Sequence, residues 1–194
     1  MNYFIRQFSA PSGSFGIFLA KIMNMSNKKM YRANAACLED RKRILEIGYG
    51  NGMQLQMIKD MYPDTSLYGM DISEEMYHEA SGRLGDQAML SVGDAKELSF
   101  QSSFFDAVIT TDTCYFWNEP QKVLSEIRRV LKDDGIFINT FNSMYADSVR
   151  KTRTDECVHD LNTTASLAEK CDLELVSHRA LGRSEEQVIL RKKR

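Results

Sequence analysis

The chain has no C-x-x-C pair, no clustered histidines and no apolar run approaching the 18 residues that a membrane span requires. Its four cysteines, Cys37, Cys114, Cys157 and Cys171, lie far apart, as do His78, His159 and His178. Zinc knuckles, redox dithiols and any metal site built from sequence-local ligands are therefore not expected. Scattered thiols fit a reducing cytoplasm better than a disulfide framework. The apolar run from Phe15 to Ala20 is too short for a secretory leader and lacks a charged n-region. With no internal repeat or low-complexity tract, collagenous and wholly disordered readings also fall away.

What remains is a globular composition. The chain has 194 residues, of which 43% are hydrophobic and 27% charged, enough for one domain with a real core, or one domain and a short appendage. The net charge of −2 hides an asymmetry: residues 1–43 carry +6, residues 44–190 carry −12, and Arg191 to Arg194 carry +4. An acidic body repels phosphate backbones, so nucleic acid is not the expected partner. The basic ends read as solvated faces. The stretch from Phe15 to Met30, apolar with basic residues, leaves an interfacial helix open, but a folded cap is favoured over a membrane-surface role.

From Arg43 onward, β-type runs alternate with helix-type segments. Ile44 to Ile47, Ser66 to Met70, Ala88 to Val92 and Phe105 to Thr110 read as strands. Met53 to Met61 and Glu119 to Leu131 read as helices, the second with Val123, Leu124, Ile127, Val130 and Leu131 on one face. Asp133-Asp134-Gly135 is expected to stop that helix before a strand from Ile136 to Phe141. A helix from Thr163 to Cys171 and strands over Leu173 to Val176 and Gln187 to Leu190 follow, whereas Asn142 to Asp160 shows no readable pattern. The alternation predicts a mostly parallel, doubly wound α/β sheet, with residues 1–40 as a helical cap (helical from about Phe15 to Cys37) and 41–194 as the main domain.

The strongest local signal is Glu46-Ile47-Gly48-Tyr49-Gly50-Asn51-Gly52, set between a strand and a helix. Its glycines permit a tight turn and close ligand approach. The spacing is E-x-G-x-G-x-G, not the G-x-G-x-x-G of dinucleotide-binding loops, which argues against a nicotinamide oxidoreductase. Asp71 ends the second strand, where a carboxylate can accept from a ribose diol. Asp94 ends the third and can accept from an adenine amino group. Asp112 follows the fourth. Four strand ends thus deliver Glu46, Asp71, Asp94 and Asp112 to one edge, a sign that suits ammonium and sulfonium charge and not a pyrophosphate. A plain α/β domain whose glycines merely turn the chain does not explain that row.

On these motifs the chain resembles the class I S-adenosylmethionine-dependent methyltransferases, in particular the small methyltransferase domain 11 type. The matching pieces are ILEIGYGNG, YGMDISEEM, GDAKELSF, FDAVITTDTCYFWNEP and EIRRVLKDDGIFINTF, in family order and spacing. The resemblance implies a Rossmann-like sheet of seven strands in the order 3-2-1-4-5-7-6, strand 7 antiparallel, with S-adenosyl-L-methionine as cofactor. It implies that Gly48, Tyr49, Gly50 and Gly52 form the loop under the methionine part and that Glu46 faces its ammonium. Asp71 would hold the ribose hydroxyls, Ile72 and Met76 would flank the adenine, Asp94 and the Ala95 backbone would meet its edge, and Thr111 would lie beside the methionine moiety.

Methyl transfer from a sulfonium needs positioning and exclusion of water, and a general base only where the acceptor must lose a proton. Asp112, Tyr115 and His159 are the candidates for that base, and the sequence does not choose among them. Cys114 reads as packing, and Tyr115-Phe116-Trp117 divides between aromatic core and acceptor pocket. The expected activity is methylation of a small molecule. The alternative is a cofactor-binding protein without turnover that acts by interaction. The acceptor and the oligomeric state are not encoded in any motif found.

Overall fold

The computed structural model describes residues 27–152, 158 and 160–193. Seven strands form one sheet: β1 (Arg43–Ile47), β2 (Ser66–Asp71), β3 (Ala88–Val92), β4 (Phe105–Thr111), β5 (Leu131–Asn142), β6 (Leu173–Ala180) and β7 (Glu185–Lys192). Their spatial order is β3-β2-β1-β4-β5-β7-β6, with β7 antiparallel to both neighbours and the other pairs parallel. This is the doubly wound sheet expected from the sequence. The helices are α1 (residues 27–35), α2 (Met53–Met61), α3 (Glu74–Leu84), α4 (Pro120–Val130), α5 (Ser143–Arg150) and α6 (Leu161–Lys170).

The central strands are buried on both faces and so read as nearly unbroken apolar runs. Alternation along β1 and β4 sorts their side chains into two cores. Ile44, Ala107 and Ile109 pack with Ala35 and Leu38 of the α1 region, Leu55 and Ile58 of α2, and Ala80 and Leu84 of α3. Leu45, Ile47 and Val108 pack with Val123, Leu124, Ile127 and Val130 of α4 and with Leu167 and Ala168 of α6. Glu46 shares the pleat face of Ile44 and is therefore a carboxylate driven beneath α1 and α2. Ser73 caps α3, accepting from the Met76 amide, and Asp160 with Thr163 forms a capping box on α6.

Three features depart from the sequence reading. β5 begins at Leu131, directly after α4, and not after the Asp133-Asp134-Gly135 turn. Between the pairs Phe105↔Leu131 and Ala107↔Ile136 the ladder slips, and the extra residues bulge outward. The bulge is anchored by Asp106, which accepts from Lys132 Nζ at 2.5 Å and from the Arg43 amide at 2.7 Å. Second, α5 forms where no pattern was readable, capped by Asn142 accepting from the Met144 and Tyr145 amides. Third, β6 and β7 run longer than expected. The portion of the cap helix before residue 27 lies outside the described residues. Among the described residues no helix is long and apolar enough to cross a membrane.

Ile127, fully buried between α4 and the sheet, makes a direct test of this packing. Ile127→Ala is expected to lower unfolding free energy by about 2–5 kcal/mol, read by denaturant titration. His78→Ala, on the exposed side of α3, is expected to stay within about 0.5 kcal/mol of the parent.

Candidate functional site

The glycine loop leaves β1 at its carboxyl end and enters α2. Gly48, Gly50 and Gly52 all have positive φ, a succession that only this residue type adopts readily. A Cβ on Gly52 would lie 2.8 Å from Leu84 Cδ1 and 3.1 Å from Ala80 Cβ, so the third glycine lets α2 pack on α3. A Cβ on Gly50 would meet nothing within 4 Å. The second glycine therefore faces open space, the cradle a ligand would fill. Tyr49 points the other way, buried beneath Gly69, its hydroxyl donating to the Ser91 carbonyl at 3.2 Å.

Asp71 ends β2 against this loop. One carboxylate oxygen accepts from the Gly50 amide at 2.8 Å and the other from the Ser73 amide at 3.0 Å. It is thus a staple between loop and strand end. Burial raises its pKa, opposed by the amides of Ser73, Gly50 and Ile72. Beside it Ile72 is exposed, an apolar surface at the site mouth, while Met76 is wholly buried. Asp94 and Ala95 lie after β3. Asp94 is exposed, accepts from the Lys96 amide at 3.0 Å and faces Lys96 Nζ at 3.4 Å.

Glu46 is the most constrained group of the site. It is 2% exposed, and Oε1 accepts from Gln54 Nε2 at 3.1 Å, while Oε2 has no hydrogen-bond partner among the described residues. A buried, half-satisfied carboxylate is costly. Burial first, and the Asp71 charge second, hold its pKa well above the usual carboxylate range. An incoming ammonium group would satisfy both its hydrogen bonding and its charge. Thr111, at the end of β4, donates to Gln54 Oε1 at 3.0 Å and so borders the same network.

Beyond β4 the chain turns at Asp112, a non-glycine residue at φ 56. Its Oδ1 accepts from the Asn142 amide at 2.8 Å, and its carboxylate also meets Tyr115 and Asn27. Burial pushes its pKa up to about 6, against the Asn142 amide, the Tyr115 and Asn27 side chains, and with help from Glu185. Tyr115 is fully buried, and burial and then Asp112 hold its phenol well above the ordinary range. Phe116 packs edge-on against Tyr115 at 4.6 Å between centroids, and Trp117 stacks near Phe137 at 6.5 Å. Cys114 is wholly buried, as packing requires. His159 lies outside the described residues.

Three further residues come from one face of α1: Asn27, Tyr31 and Asn34. Tyr31 is buried and feels the charges of both Glu46 and Asp112. Asn34 donates through Nδ2 to Gln54 Oε1 and Thr111 Oγ1. Polar residues seven apart on a helix carry no signal of their own; only the buried spacing of Met30, Ala35 and Leu38 around them could have hinted at it.

The descriptive match to known proteins follows this geometry. Residues 45–139 match the model of the methyltransferase domain family. A malonyl-[acyl-carrier protein] O-methyltransferase of Geobacter sulfurreducens is 33% identical over 97 residues, covering 49% of this chain and 36% of that protein. An uncharacterised methyltransferase of Bacillus subtilis, YdaC, is 33% identical over 113 residues, covering 57% of this chain and 62% of it. The chain thus spans between about a third and three-fifths of the length of these relatives. A chain of the complex between the Haloferax volcanii Trm112 methyltransferase activator and a methyltransferase superposes with a TM-score of 0.80 at 16% identity, covering 90% of this chain and 94% of that one. At that identity the likeness is one of fold.

The loop predicts a contrast between two alanine variants. Gly50→Ala is expected to cost about 1–2 kcal/mol of stability through its left-handed φ, yet to abolish binding of S-adenosylmethionine in calorimetry. Gly52→Ala adds the clash with α3, and is expected to lose about 2–5 kcal/mol in denaturant titration.

Proposed function

Because the chain carries a class I S-adenosylmethionine-dependent methyltransferase domain, we propose that it methylates a small-molecule acceptor that gives up a proton on attack. The observation that carries this reading is the unpartnered Oε2 of buried Glu46 beside the open face of Gly50. Those residues fit the cofactor: Glu46 would bind the ammonium and Asp71 the ribose hydroxyls, and Ile72, Asp94 and Ala95 would hold the adenine. Met76 supports that surface from within, at the first turn of α3. Bound there, the cofactor supplies an electrophilic methyl group with a thioether as leaving group.

The remaining work falls to the chain. Asp112 accepts the acceptor's proton, because its raised pKa lets it be ionised near neutrality yet basic enough to take one. Tyr115, Asn27 and the Asn142 amide hold it in place. Tyr31 and the described part of the 1–40 cap, residues 27–40, would exclude water from the 41–194 domain. The exposed Met144 and Tyr145 on α5 offer apolar surface next to Tyr115, which suits an acceptor with an apolar part. The O-methyltransferase name of the Geobacter sulfurreducens relative supports an oxygen acceptor, and a hydroxyl is the oxygen acceptor that has a proton to give up.

Incubation with isotope-labelled cofactor and a cell extract, followed by mass spectrometry, is expected to yield a labelled small molecule. Tight binding without any labelled product would favour a protein that binds the cofactor and acts by interaction. With the acceptor in hand, kcat/KM is expected to rise with pH through an apparent pKa of about 6 as Asp112 loses its proton. Asp112→Asn is expected to lower kcat by about 10²–10⁴-fold and to remove that limb.

A further inference from the structure

The sheet register lines up a row of polar side chains beneath α1. Thr111 of β4 pairs with Thr140 of β5, Thr140 with Gln187 of β7, and Gln187 with Arg179 of β6. Asn34, fully buried, lies across this row and uses its whole amide. Nδ2 donates to Gln54 Oε1 at 3.2 Å and Thr111 Oγ1 at 3.0 Å. Oδ1 accepts from Thr140 Oγ1 at 2.5 Å and from Gln187 Nε2 at 2.7 Å.

The donors all run one way. Arg179 Nε donates to Gln187 Oε1 at 2.7 Å, Gln187 Nε2 to Asn34, Asn34 Nδ2 to Gln54, and Gln54 Nε2 to Glu46 Oε1. A guanidinium begins the chain and a carboxylate ends it. A guanidinium can only donate and the Gln187 carbonyl can only accept, so the first bond fixes which end of each amide faces which neighbour. Bonds in such a series also polarise one another. The consequence is local to Glu46: Gln54 presents its Nε2 to the carboxylate, so one oxygen (Oε1) is taken and the other (Oε2) is left over.

We infer that Asn34 is a positioning residue for the cofactor's ammonium, acting through Gln54 to hold Glu46 with Oε2 free, and that Arg179 sets the polarity of this relay from the outer strand. This rests on the assignment of Glu46 to the ammonium. It gives α1 a role in cofactor selection distinct from covering the site. It also places the determinant on residues that no ligand touches.

S-adenosylhomocysteine carries the ammonium and methylthioadenosine does not, so the ratio of their affinities isolates the effect from general loosening. Calorimetry on the full chain is expected to show Glu46→Gln and Asn34→Leu each weakening S-adenosylhomocysteine about tenfold or more, a single charge-assisted hydrogen bond's worth. Methylthioadenosine should stay within about twofold of the parent in both. Arg179→Met, at the solvent end, should move the ratio the same way by about threefold. If Glu46→Gln shifts the ratio but Asn34→Leu weakens both ligands equally, or neither, then Asn34 only fastens α1 and the inference is overturned. Should Asn34→Leu not fold, an unchanged ratio in Arg179→Met overturns it instead. If Glu46→Gln itself leaves the ratio unchanged, the ammonium assignment fails and the relay falls with it.

Discussion

A carboxylate buried in the middle of a parallel sheet is the constraint around which this site is organised. Glu46 occupies the one buried polar position of β1, whose other charged residue, Arg43, is exposed, and burial makes the charged form expensive. Its pKa stands above the ordinary 4.5, so the sign of its linkage is opposite to that of an ion-paired carboxylate. The unfolded chain gives up the proton first, and Glu46 therefore withdraws stability as pH rises above 4.5 toward the folded-state value. Such an arrangement persists when a ligand reverses the cost. Gln54, Thr111 and Asn34 fix its geometry, and Asp71 fixes the loop in front of it by accepting from the Gly50 amide.

Much of this was legible in the sequence. The run Glu46 to Gly52 has its meaning in local chemistry: glycines at positive φ and a carboxylate one pleat before them. The strands that lead to Asp71 and Asp112 are short apolar runs between turn residues, legible from their length and their flanks. The sheet order followed from the resemblance and is observed as implied. The staple role of Asp71 was not legible, because a hydrogen bond to an amide 21 positions earlier has no signature in composition.

The illegible parts share a cause. Asn27, Tyr31 and Asn34 are read as functional only once α1 is laid across the carboxyl ends of β4 and β5 and the amino end of β7, a tertiary fact. The helix α5 depends on the Asn142 cap more than on any apolar period. The early start of β5 is decided by Asp106 and Lys132, which are 26 residues apart. Residues 45–139, the part matched by the family model, contain the cofactor-side residues named from sequence. The helices α1 and α5, which border Asp112 and Tyr115, fall outside that stretch, where individual proteins of one fold differ in chemistry.

The central claim is that the Oε2 atom of Glu46 receives a cation when cofactor binds. The most direct measurement is the titration of the Glu46 carboxyl carbon by NMR, with and without saturating S-adenosylhomocysteine. The account requires a free-state pKa above the ordinary carboxylate range, falling on saturation as the ammonium stabilises the ionised form. A Glu46 titration unmoved by saturating ligand, with Asp71 and the loop amides shifting normally, would contradict it.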